Sequence, residues 1–338
     1  MEQEIKFCKT ADGVNIAYAV AGTGPPFVKV ANWMNHLEFD SRSPVWNHLF
    51  AEIARDHQLI RYDERCTGLS DRNAADLSLD ALVADLESVV DSMGLDRFPL
   101  FAISQGGPVA IAYAFKHPDK VSHLIILGSF PAGWRKSSPS PEVVAKREAQ
   151  RTLIRQGWGS KNPAFRQMWT TLCIPDGTPE AGDSFNELQR LSATAEEASR
   201  IFDAIGDLDV RDLLPKIEVP VLIFHSRNDA LVPFEEGRTM AAMMPGSKFV
   251  PLESKNHLLL KHEPAWPKFV SELRSFIGRP SSGSAIEGQP AISRICPTCN
   301  RRYNGKDLFY CLDDGTKLSD MPGEPDGDNQ PTQILHID

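Results

Sequence analysis

Pro99–Pro118 reads PLFAISQGGPVAIAYAFKHP. An apolar run stops at Ser104, and a helix of small residues starts at once behind Gly106 and Gly107. A serine on a sharp strand-to-helix turn has its hydroxyl lifted clear of the sheet. It also sits at a helix N-terminus, where free N–H groups can receive a developing oxyanion. Strand and helix approach closely at such a turn, so the neighbours must be small; Ala102, Gly106 and Gly107 are. Pro108 falls in the first helical turn, where a missing N–H does little harm. Taken alone, the turn points to a nucleophile, with a tight junction carrying a surface serine as its alternative.

On either side of this junction the chain alternates. Ile5 and Phe7, then Val14, Ile16, Tyr18 and Val20, flank the turn ADG and read as a hairpin. PPFVKVAN and HQLIRYDE read as strands. SLDALVADLESVVDSMGL puts Leu79, Leu82, Val83, Leu86, Val89, Val90 and Met93 on one helical face, with Ser78 as the cap. VSHLIILGS, VPVLIFHS and KFVPLES are further strands; PFEEGRTMAAMMPG and EPAWPKFVSELRSFIG are helices. Strands alternating with helices imply a mostly parallel sheet. From Ser137 to about Gly206 no strand is predicted, only helices rich in Trp, Arg and Met. A helical insertion of that kind is expected to lie over the sheet as a cap.

The alternation stops at Gly278. Residues 279–293 are rich in Pro, Gly and Ser and read as a flexible linker. A Cys-containing unit is expected at 294–318, and a disordered acidic tail at 319–338. The 338 residues carry 41% hydrophobic side chains, enough for one large core and a small appendage. A net charge of −9 argues against a domain-wide face for nucleic acid. The charged start MEQEIKFCKTADG lacks the apolar core of a signal peptide, and no apolar run approaches the ~18 residues that span a bilayer. The cytosol is the expected compartment. There the scattered Cys8, Cys66 and Cys173 are expected to be buried thiols.

A serine nucleophile needs a base to take its proton and an acid to orient that base. VPVLIFHSRNDALVPFEE puts Asp229 in the loop after a late strand, and FVPLESKNHLLLKHEP puts His257 after the last one. Both fall at the C-terminal ends of strands, on the same edge as Ser104. Over residues 4–278 the chain resembles the alpha/beta hydrolase fold family. Within it the chain looks most like the hydrolase-type modules fused to bacterial adenylate cyclases and transcriptional regulators. The stretches that carry this are FCKTADGVNIAYAVAGTGPPFVKVANWMNHLEFD, RYDERCTGLSD, ISQGG, RQGWGSKNPAFRQMWTTL, RNDALVPFEEGR and NHLLLKHEPAW. The resemblance implies an eight-stranded, mostly parallel sheet with helices on both faces and a cap over about 131–210. It also implies a Ser104–His257–Asp229 triad and an oxyanion hole made by the backbone N–H groups of Gln105 and Trp33. The implied reaction is hydrolysis of an ester or related acyl bond of a small apolar molecule. Three positions depart from the family pattern. Ala102 stands for the first glycine of G-x-S-x-G. Ala31-Asn32 stands for His-Gly before Trp33, and Cys66 for the first glycine of D-x-R-G-x-G-x-S.

His36, His225 and Asp63 are read as satisfied structural residues, and His262 as a poorer base than His257. Trp33, Trp46, Trp134, Trp158 and Trp169 are divided between building the cap's core and lining an apolar pocket. No phosphate-binding glycine loop is present, so no nucleotide cofactor is expected. Near the end, Cys296-Pro-x-Cys299 has the form of a zinc knuckle, with Cys311 as third ligand and Asp314 where a fourth cysteine would stand. The segment is similar to short zinc-ribbon tails. A metal-free tail and a redox Cys-x-x-Cys are its alternatives. A unit of about 25 residues needs metal to fold, and it would serve to contact a protein partner. The competing reading of the whole chain is a sensing module that binds a small molecule without turning it over.

Overall fold

The computed structural model describes residues 2–137, 139–278, 293–298, 302–304 and 317–320. The chain divides into two units, 1–280 and 281–338. The first begins with a hairpin, β1 (Glu4–Lys9) and β2 (Asn15–Ala21), closed through Gly13 at φ +91°. Then follow β3 (Pro26–Lys29), α1 (Leu37–Asp40), α2 (Asn47–Ala54), β4 (Gln58–Tyr62), α3 (Leu79–Ser92), β5 (Phe98–Ile103), α4 (Gly106–Lys116) and β6 (Val121–Leu127). The cap is four helices: α5 (Pro141–Gly157), α6 (Ala164–Cys173), α7 (Pro179–Ser192) and α8 (Ala195–Asp207). An antiparallel bridge between Ala132 and Asp209 closes its two stems. The sheet then resumes with β7 (Val221–Ser226), α9 (Phe234–Met243), β8 (Lys248–Leu252) and α10 (Ala265–Ile277).

The eight strands run in the order β1-β2-β4-β3-β5-β6-β7-β8, with only β2 antiparallel to its neighbours. Alternate residues of each central strand feed two different cores. Phe98, Leu100 and Ala102 of β5 join Leu124 and Ile126 of β6, against α3 and α4. Phe101 and Ile103 join Ile125 and Leu127, against α2 and α10. This period of two, with both faces covered, is why the strands read as unbroken apolar runs. Strand order reverses at β3, whose neighbours are β4 and β5. Loops leaving β3 and β5 therefore diverge and leave a crevice at their C-terminal edge.

Cap formation is local as well as tertiary. Ser140, Thr178 and Thr194 each accept a backbone N–H from the first turn of α5, α7 and α8. Thr194 and Glu197 form a reciprocal capping box. Prolines open α5 and α7, where their missing N–H costs nothing. Inside the cap, Trp158 is buried and donates Nε1–H to Ala193 O at 3.1 Å.

In the second unit, β9 (Ser293–Ile295) pairs antiparallel with β10 (Arg302–Asn304) and with β11 (Ser319–Asp320). The pairing begins one residue before and ends two residues after the bounds expected from sequence, because Ser319 and Asp320 supply a third strand. Cys296 is buried at the end of β9. Cys299, Cys311 and Asp314 lie outside the described residues. Among the described residues, no cluster of three or more His, Cys, Asp or Glu could hold a metal. None of their helices is long and apolar enough to cross a membrane.

Candidate active site

Ser104 occupies the turn between β5 and α4 with φ +53°, a left-handed conformation that a non-glycine residue adopts only under strain. The surroundings hold it there. Its N–H donates to Leu127 O at 3.0 Å, and its carbonyl accepts from Gly107 N–H. A Cβ on Gly106 would stand 2.6 Å from Ala31 O, and one on Gly107 would overlap Ser129 Oγ. Both glycines are therefore required by close approach rather than by their φ angles.

His257 follows β8 and is almost wholly buried. Its Nδ1–H donates to Asp229 Oδ2 at 2.7 Å. That leaves Nε2, a buried atom with no partner, as the ring's free acceptor. The other Asp229 oxygen accepts N–H groups from Leu231 and Val232, each at 2.9 Å. The carboxylate is thus fixed on both sides. Ser104, Asp229 and His257 all line one cavity of about 540 Å³ beneath the cap. The structure brings these three together.

The loop after β3 is held differently from the expected pattern. Trp33 N–H was expected to face an incoming oxyanion, but it donates to Gln105 Oε1 at 2.7 Å. Gln105 Nε2 in turn donates to the buried Glu64 carboxyl at 2.8 Å. Burial raises Glu64 to about 7, only partly offset by the Gln105 amide. The side chain following Ser104 is long enough to reach across the crevice and accept from that donor. Asn32, in place of the family glycine, accepts from the buried Lys29 ammonium at 2.6 Å and donates to Trp33 O at 3.1 Å. Burial pushes the Lys29 ammonium well below the ordinary lysine range.

Residues read as structural take structural places. Asp63 accepts N–H groups from Leu69 and Leu37 and the Asn35 amide. His225 donates Nε2–H to Val232 O at 3.0 Å, and burial lowers its pKa. His36 caps the short α1 without a side-chain bond, and His262 is exposed. Cys66 takes a left-handed φ of +66° where the family pattern has glycine. Cys66 and Cys173 are buried, but Cys8 is only half-buried, because its strand lies at the sheet edge.

The tryptophans divide. Trp33, Trp46, Trp134 and Trp169 line the cavity. Trp158 packs in the cap and stacks on Trp33, with ring centroids 5.3 Å apart. Two participants had escaped notice in the sequence. Cys173, at the end of α6, accepts the backbone N–H of both His257 and Leu258 through its carbonyl, at 2.9 and 3.1 Å. A backbone carbonyl has no sequence signature. Gly128 (φ +58°) lies so close to the pair that a Cβ there would be 3.2 Å from His257 Nδ1 and 3.4 Å from Asp229 Oδ2. Its only signal was a glycine at the end of a strand.

Residues 37–264 match the alpha/beta hydrolase fold family. The chain belongs to that family. A pimeloyl-[acyl-carrier protein] methyl ester esterase of Neisseria meningitidis is 29% identical over 66% of this chain and 69% of its own length. The alpha/beta hydrolase superfamily protein YisY of Bacillus subtilis is 26% identical over 74% of this chain and 91% of its own. Among solved structures, an esterase from Exiguobacterium antarcticum superposes with a TM-score of 0.69 at 25% identity. It covers 80% of this chain and 98% of the esterase. Within the alpha/beta hydrolase family this chain is a hydrolase-type enzyme.

Proposed function

We propose that the chain is a serine hydrolase acting on an ester or related acyl bond of a small, largely apolar molecule. The observation that carries this reading is the buried Asp229–His257 pair, whose free Nε2 shares a cavity wall with a strained Ser104. His257 Nε2 would take the Ser104 Oγ proton as Oγ attacks the acyl carbon. The oxyanion would be received by Gln105 N–H at the start of α4 and, once the Gln105 amide moves aside, by Trp33 N–H. The imidazolium then gives its proton to the departing alcohol. Water, deprotonated by the same nitrogen, releases the acid and restores Ser104. The test is a fluorophosphonate probe read by intact mass. One adduct, absent from Ser104→Ala, is the expected result. No adduct on folded protein would overturn the reading.

One observation favours a second reading, a ligand-sensing module with little turnover: an internal acceptor already occupies the Trp33 N–H. The probe distinguishes the two, because a sensor has no need of an activated serine.

For the terminal unit the reading is a structural zinc held by Cys296, Cys299, Cys311 and Asp314, on a short ribbon that docks a protein partner. Three antiparallel strands with a buried Cys296 at the end of the first support it. Purified full-length chain should carry about one zinc, lost in Cys296→Ser. Metal-free protein would end this proposal.

A further inference from the structure

Apart from Ser104, Asp229, His257 and the uncharged polar side chains of Asn32, Gln105, Ser137 and Ser140, the cavity carries charged side chains at two places. Glu236 of α9 lines one rim, and Lys146 and Arg147 of α5 line the cap side. Among the cap arginines, the exposed Arg155 meets only Ser199 Oγ and Arg200 is held by the carbonyls of Ala74 and Ala75. Arg135 pairs with Asp203 and Asp207, Arg151 with Asp203, and Arg190 with Glu187. Arg166 is spent on the backbone carbonyls of Asn186 and Trp158. Arg147 is half-buried, donates from Nη1 to Gln150 Oε1 at 3.0 Å, and meets no carboxylate among the described residues. Burial lowers its basicity, and no acidic neighbour offsets the loss. Burial likewise raises the Glu236 carboxyl with no cation to offset it, so the two charges do not neutralise each other.

A guanidinium drawn out of water without a counter-charge is costly, and a planar fork of donors is matched by a carboxylate. We propose that Arg147 is a specificity residue that receives a carboxylate at the far end of the substrate from the scissile bond. The substrate class is then a monoester, or equivalent acyl derivative, of a dicarboxylic acid. Its apolar middle would lie along Trp134 and Phe202, which line the same cavity. Lys146 adds a second positive charge on the same side. This inference rests on the hydrolase reading for the bond cleaved, but the charged end can be tested without turnover.

The experiment is calorimetric titration of Ser104→Ala protein with three esters of equal length: monomethyl adipate, methyl hexanoate, and the methyl ester of the corresponding amino acid. Monomethyl adipate should bind about tenfold tighter than methyl hexanoate, the usual range for a hydrogen-bonded charge pair. In the Ser104→Ala background, Arg147→Gln should abolish that difference and Arg147→Lys should keep most of it. Equal binding of acid and neutral esters would overturn the proposal. So would a preference that survives Arg147→Gln, or tighter binding of the amino ester, which would hand the selectivity to Glu236. Fluorophosphonate labelling of the wild type, run in parallel, separates the two claims. Labelling without acid preference removes the Arg147 role alone. Acid preference without labelling removes the hydrolase reading alone.

Discussion

Ser104 and Gly128 define the geometry of the candidate site at the smallest scale. Ser104 accepts a left-handed backbone because β5 and α4 clamp it from both sides. Gly128 has a left-handed backbone of its own, and the atoms nearest its missing Cβ belong to the Asp229–His257 pair. Gly128→Ala should therefore act twice. Backbone strain costs about 1–2 kcal/mol, and the new methyl group pushes the imidazole from its place. A 3.2 Å contact asks the ring to give by only a few tenths of an ångström, so the loss falls short of the roughly 100-fold of a 1 Å misplacement and is on the order of 10-fold in rate. The expected result is a folded protein whose probe-labelling rate falls by about that factor. An unchanged rate would mean that the His257 loop gives way freely. The motif around Ser104 was readable because adjacent small residues leave a local mark. Gly128 was not, since its requirement comes from a side chain far away in sequence.

Among the elements, α3 shows how a helix can carry more than its apolar stripe. Ser78 accepts Ala81 N–H at its start, as the sequence predicts. Asp85 sits on the same face as Leu82, Val83, Leu86 and Val89, and it is wholly buried. It accepts Arg65 Nε at 2.9 Å, Arg65 Nη2 at 2.7 Å and Arg65 N–H at 3.0 Å. This ties the loop after β4, which also carries Glu64 and Cys66, to the helix. Asp85→Ala would strand the buried Arg65 charge, leaving the half-exposed Asp12 as its carboxylate and the Asp76 carbonyl as a neutral acceptor. A loss of about 3–5 kcal/mol is expected, read as a lower urea midpoint at unchanged slope. A loss below 1 kcal/mol would show that Asp12 suffices. The helix itself was legible from periodicity. A charged residue within its apolar face was the available sign of the anchor, but its partner was not, since Arg65 comes from another element.

Over the whole molecule, the buried charges under the crevice make stability depend on pH. Glu64 titrates near 7 in the folded chain, against 4.5 for an ordinary glutamate. Between those values the folded state holds a proton that the unfolded state has lost. Stability from this group is thus present at pH 4.5 and declines as pH rises towards 7. Its size is on the order of 3 kcal/mol, given 1.36 kcal/mol per unit. Glu64→Gln keeps an acceptor for Gln105 and removes the titration. The variant should show a flatter profile of unfolding free energy between pH 4.5 and 7 than the parent. Parallel profiles would mean that the carboxyl is not held in its neutral form.

Spacing along the chain was enough for the alternating sheet, the helical cap, the Ser104 turn and the order Ser104, Asp229, His257. Each of these is set by local periodicity, by a turn that only small residues permit, or by where a loop leaves its strand. Folding decided the rest. The capture of Trp33 N–H by Gln105, the grip of the Cys173 carbonyl on the His257 loop, and the placing of Arg147 of α5 on the wall of the same cavity as Ser104 bring together segments far apart in the chain. Their partners are chosen by how the cap packs on the sheet, and no pattern within one segment encodes that choice.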